Sequence, residues 1–205
     1  MTGSPITRLA GPLTITAGAL LVIADLVMLN SFDATSRQAT ISNPVFGAAQ
    51  VTLFIGFVFL ALAATALYGR QADRAGRFGA FAYVAAMVGT MFLAGDLWFD
   101  TFAGPWIVAN APALADNPNG TLMQGAFVSY VLFAAGWAMF GVSMMRARVY
   151  PIVLCATVAL GGLVGFFALM PPYAIPLGGA LLALGIWIVR YEDLPARQAA
   201  GAARA

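Results

Sequence analysis

The 205-residue chain contains no histidine and no lysine; its ten basic residues are all arginine. Without histidine the usual haem and zinc ligands are missing. Without lysine there is no Schiff base to retinal or pyridoxal phosphate and no P-loop lysine. Its single cysteine, Cys155, can form neither an internal disulfide nor a CxxC motif; it lies in an apolar run and reads as a packing residue. Charge is equally scarce. Only 9% of residues are charged, against roughly 25% in a soluble domain, and a disordered chain would need far more charge and less hydrophobicity. A net charge of +2, with the arginines scattered along the edges of apolar runs, leaves no footprint for nucleic acid. From these absences no metal site and no cofactor is expected.

What remains is apolar. Hydrophobic residues make up 61% of the chain and the mean hydropathy is +0.88. A helical span needs about 20 residues, and six apolar segments can be read, at 9–28, 45–67, 79–102, 122–145, 152–170 and 173–189. Proline stands near the start of several of them (Pro12, Pro44, Pro151, Pro176), where its missing N–H is tolerated, and Pro171–Pro172 breaks the last two apart. The expectation is an all-α, polytopic membrane protein. Residues 1–190 form one six-helix bundle and 191–205 a cytoplasmic tail. Nine of the ten arginines then share one side: Arg8, Arg70, Arg74, Arg77, Arg146, Arg148, Arg190, Arg197 and Arg204. The positive-inside rule makes that side cytoplasmic and places both termini there. Arg37 alone falls on the other side. The first segment is too long for a typical signal-peptide core and no A-x-A site follows it, so it reads as a retained helix. Small residues at helix-packing spacing, such as Gly161 and Gly165, read as structural. The stretch 102–120 is too short to span; it reads either as an interfacial segment anchored by Trp106 or as a lid over the bundle.

Three acids lie within the segments: Asp25, Asp96 and Asp100. Each costs about 2.5–3.5 kcal/mol near the centre of a membrane helix, and less toward an end. Asp96 and Asp100 are four residues apart and stack on one face of a regular helix, about 6 Å apart along its axis. No arginine lies within a segment to neutralise them. Threading the topology puts all three acids in the outer half. Asn30, Asn43, Gln50, Thr52, Gln124, Tyr130 and Tyr173 fall in the same half, while the inner half has few comparable groups. Polar groups facing lipid need a partner or a cavity, so the pattern describes a polar pocket in the outer half, closed below by apolar packing. Aromatic residues crowd the region, with Trp98, Phe99, Phe102, Trp106, Phe127 and Phe133 near the pocket and Trp137 and Phe140 deeper. Such rings serve as packing and interface belts, and their faces also stabilise cations by about 0.5–2 kcal/mol per contact. Two neighbouring carboxylates in an apolar setting resist double ionisation, so at least one of Asp96 and Asp100 is expected to keep its proton. A carboxylic acid held neutral is a hydrogen-bond donor or a general acid.

Three functions fit such a pocket. One is an enzyme that cyclises an isoprenoid by protonation. Asp96 or Asp100 would protonate an alkene or epoxide, and Asp25 or a polar neighbour would orient the acid or collect the last proton. Trp98, Trp106, Tyr130 and Trp137 would line the cation path, with Asn30, Gln50, Phe99, Gln124, Phe133 and Tyr173 among the substrate-binding residues. The substrate would be lipid-like or prenylated and would enter from the membrane lipid. The second function is a proton- or cation-coupled transporter, since intramembrane carboxylates serve as proton relays; no internal repeat supports it, although a homo-oligomer would supply symmetry. The third is a non-catalytic subunit whose acids pair with partner arginines.

The run GDLWFDTFAGPW (95–106), the Pro/Asn-rich loop after it and a fourth segment ending in FGVSMMRARVYP resemble a group of small actinobacterial multispan proteins. Among these the chain is similar to the integral-membrane terpene cyclases of the drimentine type, which act on a farnesylated indole diketopiperazine. The likeness covers the span pattern and the acidic motif of the third segment. It implies a metal-independent cyclase in a bacterial plasma membrane, in keeping with the absence of a DDxxD diphosphate motif. One tension follows: prenylated intermediates arise in the cytoplasm, whereas this pocket faces the other side.

Overall fold

The computed structural model describes residues 5–116 and 120–191, which form helices and turns with no strand among them. A single turn, α1 (Pro5–Arg8), leads into α2 (Ala10–Met28). Then come α3 (Arg37–Ser42) and α4 (Pro44–Trp98). One wide π-helical turn at Phe99–Ala103 carries α4 into α5 (Gly104–Asn110), and α6 (Pro112–Asp116) follows. The rest comprises α7 (Gly120–Ala147), α8 (Ile152–Val164) with a tight turn at Gly165–Phe167, and α9 (Ile175–Tyr191). Three helical stretches, Ala10–Met28, Pro44–Asn110 and Gly120–Ala147, are long and apolar enough to cross a membrane; Ile152–Phe167 and Ile175–Tyr191 are apolar but shorter. The expected tail at 191–205 lies, after Tyr191, outside the described residues.

The long helix α4 is folded in two. Gly76 has φ 59° and ψ −163°, a backbone that glycine adopts without steric penalty. Beyond it the chain runs back along itself. The rings of Tyr68 and Tyr83 stack 4.5 Å apart and Thr65 Oγ1 lies 3.0 Å from the Tyr83 hydroxyl. A straight helix would hold residues 68 and 83 about 22 Å apart. The sequence suggests a connection between residues 67 and 79, and the reversal at Gly76 falls within it, with helix on either side. Arginine, glutamine and alanine are good helix formers, and one glycine suffices for the reversal.

Glycine sets the closest helix approaches. A Cβ on Gly18 of α2 would lie 2.5 Å from the Gly178 carbonyl of α9, and one on Gly185 2.8 Å from the backbone nitrogen of Ile15. Gly89 and Gly136 repeat the device between the 77–98 arm and α7, where added Cβ atoms would meet Leu132 and Ala85 carbonyl oxygens at 2.4 and 2.5 Å. Gly161 packs on Leu177 and Gly165 on the Phe133 ring, so both serve packing as expected. The segments close into a ring: the 44–75 arm packs on α2, α2 on α9, α9 on α8, α8 on α7, and α7 on the 77–98 arm.

Inside the ring is a dry aromatic column. Phe57 stacks on Phe133, Phe133 meets Trp137, and Trp137 meets Phe140 edge-on, all four essentially unexposed. Trp137 Nε1 donates to Thr90 Oγ1 at 2.9 Å, which satisfies the one polar atom of the indole. Outside, Phe81, Met91, Ile152 and Val153 are each more than 60% exposed. In water so much apolar surface would mark an interface or an aggregation hazard; on a chain with three helical stretches long and apolar enough to cross a membrane it is compatible with contact with lipid.

Candidate functional site

The connection between α2 and α4 is a built structure. Asp33 Oδ1 accepts from both the backbone N–H and the hydroxyl of Thr35, at 2.8 and 2.6 Å. The backbone N–H of Asp33 donates to Thr40 Oγ1 at 2.8 Å, and the Thr40 hydroxyl donates back to the Asp33 carbonyl at 3.0 Å. Ser36 Oγ caps α3 by accepting from Ala39 N–H at 3.1 Å. This clasp fixes the first residue of α3, Arg37, whose guanidinium donates from Nη2 to Asp100 Oδ1 in an ion pair. The two side chains are 38% and 20% exposed. No arginine lies within the long apolar segments that carry the acids, but Arg37 reaches Asp100 from the connection between α2 and α4, and the expectation of un-neutralised carboxylates is corrected for Asp100.

Asp96 and Asp100 turn to different spaces. Asp96 lines an open groove of about 810 Å³ between the 77–98 arm and α7, together with Phe92, Phe99, Gln124, Val128 and Ser129. Asp100 lines a half-open cavity of about 230 Å³ with Asp33, Arg37, Thr40, Tyr130 and Met170. Regular helix spacing would stack the two acids on one face. Asp100 instead sits in the π-helical turn, a widening often found at functional positions, and it faces Arg37. A small gap lined by Arg37, Ile41, Phe99, Gly104, Ile107 and Leu122 lies between α3, α5 and the groove. Groove, gap and cavity therefore adjoin around Phe99 and Arg37. Next to Asp100, the Thr101 hydroxyl is 3.1 Å from Gln50 Oε1 and 2.7 Å from the Leu97 carbonyl, which seats the buried Gln50 under the site.

Asp25 belongs to a separate arrangement. It is fully buried, and its Oδ2 accepts the backbone N–H groups of Ala174 (2.7 Å) and Ile175 (3.1 Å) at the start of α9. Helix starts leave N–H groups unpaired and carry partial positive charge, so a carboxylate from α2 supplies what the Pro171–Pro172 stretch does not. Its other oxygen, Oδ1, has no hydrogen-bond partner.

Of the residues singled out in the sequence, Asp96, Phe99, Gln124, Asp100 and Tyr130 come together around these spaces, with Gln50 beneath. Phe133 and Trp137 stand in the closed aromatic column, at 0% exposure. Trp98 and Trp106 are 51% and 67% exposed on the outer surface. Asn30 is exposed, and Tyr173 packs on Phe167 at 5.2 Å. The stretch after Phe102 folds as α5 and α6 against α3, with Gly104 beside Ile41, so it covers the Arg37 side of the site.

Two residues escape a reading of the sequence. Arg37 is the more important, and its signal is that it breaks the arginine pattern. Gln71 is the other: it is fully buried near the fold of α4, with neither amide atom hydrogen-bonded, among arginines that make it look like part of a solvated connection. Compared with known protein families, with curated proteins and with solved structures, the chain matches none.

Proposed function

We propose that this protein is a six-span enzyme of a bacterial plasma membrane, both termini cytoplasmic, that cyclises a prenylated substrate by acid initiation. The observation that carries the reading is the division of labour between the two acids. Asp96 stands in the wall of an apolar groove large enough for a prenyl chain, while Asp100 is engaged by Arg37. In this reading Asp96 is the general acid. Its O–H bond breaks as a C–H bond forms at a terminal alkene, ring-closing C–C bonds carry the positive charge along the chain, and a C–H bond of the last cation breaks, its proton returning to the Asp96 carboxylate and restoring the acid. Arg37 engages Asp100, which leaves Asp96 as the acid with no ion pair among the described residues and with the groove beside it. Phe92 and Phe99 share the groove with Asp96, and their faces suit a passing cation. The likeness of the 95–106 run to the drimentine-type cyclases points the same way. The groove opens along the side of the bundle, so a lipid-like substrate enters from the bilayer and the outward level of the site is no obstacle.

The test is Asp96→Asn, with a farnesylated indole diketopiperazine as probe and the protein in detergent. Product formation falls by about 10²-fold or more, the contribution usual for a general acid, while the melting temperature is kept. Wild-type turnover in this variant removes the proposal.

One observation favours a second reading, a proton-coupled transporter: Asp96 and Asp100 face two different spaces across one helical turn. That reading expects proton flux in proteoliposomes, followed with an entrapped pH dye and abolished by the same substitution. A non-catalytic subunit is the less favoured reading, because Asp100 finds its arginine within its own chain.

A further inference from the structure

The opposite edge of the bundle carries a second polar feature, unconnected with the acids. Where α7 ends, an open groove of about 600 Å³ is lined by Val142, Met145, Arg146, Arg148 and Ile152. Its walls are apolar, its two polar residues are both cationic, and no acid lines it. Neither arginine forms an ion pair among the described residues. An arginine at a helix C-terminus is explained in part by the helix dipole, and an arginine at this edge by topology. Two further observations exceed those explanations.

The first is that Arg146 is held in place. Its guanidinium carbon lies 4.9 Å from the centre of the Phe78 ring, which fixes the charge beside the groove. The second is the backbone of Arg148, at φ 51°. Its N–H donates to the Met144 carbonyl at 3.2 Å, which makes it the left-handed residue that closes α7. Among helices that close this way glycine usually fills the position, because a side chain there is strained. Here the strained position holds an arginine facing the groove. Strain at a non-glycine residue is a pointer to function when an actual outlier is observed.

We infer that this groove binds an anionic phospholipid, with Arg146 and Arg148 on the phosphate and an acyl chain along Val142, Met145 and Ile152. Charge complementarity selects an anionic over a zwitterionic head group. The exposed apolar flank, with Val142 37% and Ile152 64% exposed, selects a lipid over a free phosphate ion. Guanidinium groups match phosphate oxygens in a planar, two-point geometry. The inference does not rest on the cyclase reading.

The test uses the full chain in mild detergent and in nanodiscs, with phosphatidylglycerol and phosphatidylcholine as probes. Native mass spectrometry reads retained lipid. Each arginine near an anionic surface is worth about 1 kcal/mol, a factor of about five, so two give about thirty-fold. Wild type is expected to retain phosphatidylglycerol in preference to phosphatidylcholine by about that factor, and Arg146→Gln/Arg148→Gln to lose the preference. Arg148→Gly separates charge from folding. Without lipid it melts at or above the wild-type temperature, because the strain is relieved, yet it loses part of the preference. Equal retention of the two lipids by wild type overturns the inference, as does an unchanged preference in the double variant. So does inorganic phosphate alone, if it protects against thermal unfolding as well as phosphatidylglycerol does, because the apolar flank would then contribute nothing.

Discussion

Two regions of the bundle hold aspartate among apolar helices, and they accommodate the carboxylate in opposite ways. At the α2–α9 contact, Asp25 is fully enclosed and bonds only to backbone, where two N–H groups at a helix start hold one of its oxygens. Glycines 18 and 178 bring those helices so close that no side chain fits between them. At the other region, Asp96 and Asp100 are half-exposed and each lines a space of its own, and Asp100 is paired with a long side chain projecting from a connection. One oxygen of the first carboxylate is held by groups that cannot leave without unwinding a helix. In the second region Asp100 is held by a side chain that moves in a single rotamer change. The difference teaches that an intramembrane acid is not by itself a sign of chemistry; the nature of its partners and the space beside it separate scaffold from site.

Replacing Asp25 should break the comparison most sharply. In Asp25→Ala two buried N–H groups at the start of α9 lose their acceptor, and each costs about 1–3 kcal/mol. A loss of about 2–6 kcal/mol is expected, read as a lower melting temperature in detergent and lower yield. Asp25→Asn keeps an acceptor oxygen in place and should recover most of that stability. An Asp25→Asn protein that melts like wild type yet is inactive would move Asp25 into the chemistry and erase the contrast. The second effect is smaller in stability and larger in activity. The Arg37–Asp100 pair is partly exposed, and such pairs are worth about 1 kcal/mol or less, so Arg37→Gln should melt close to wild type. Turnover should nonetheless fall by about tenfold or more, equivalent to about 1.4 kcal/mol on the barrier, because Asp100 loses the charge that holds it away from Asp96. Arg37→Lys, which keeps the charge but not the planar fork, should fall between the two. Normal turnover in Arg37→Gln would make the ion pair a surface feature with no share in the site.

Much of this helical architecture is legible in the sequence because its composition is so one-sided. The apolar runs are long, the arginines sort to one edge, and the acids stand out against a chain with 9% charge. The meeting of Asp96, Phe99, Gln124 and Tyr130 follows from threading helices at one depth. What sequence cannot convey is partnership. Asp25 and Asp96 look alike along the chain, and only the register between α2 and α9 shows that one of them faces backbone N–H groups. Trp137 belongs with the pocket by composition, but a ring packed on Phe133 and Phe140 with its nitrogen bonded to Thr90 leaves no room for a ligand. Asp100 is displaced from Asp96 by a π-helical turn that no residue pattern announces. The sequence did hold a clue: of its ten arginines Arg37 alone departs from the expected pattern, and it is the one that reaches Asp100.

A fourth aspartate gives the smallest and most discriminating effect. Asp33 is exposed on the connection, and its carboxyl is held below the ordinary range, first by the Thr35 hydroxyl and then by the Thr35 N–H. A lowered carboxylate favours the folded connection at every pH above the ordinary value of about 3.9, and that contribution disappears as the pH falls through the lowered value. Thr35→Val removes the hydroxyl and keeps the shape, so the Asp33 titration followed by carbon NMR should move up toward the ordinary value, with melting at neutral pH nearly unchanged. Turnover separates two accounts of Arg37. The Thr40–Asp33 clasp remains in this variant and should keep α3 in register, so activity should be close to wild type. If Thr35→Val instead lowers turnover as far as Arg37→Gln does, the order of the connection matters more than the guanidinium charge. The outer site would then resemble the Asp25 region, with an acid held by local backbone architecture instead of by a movable side chain.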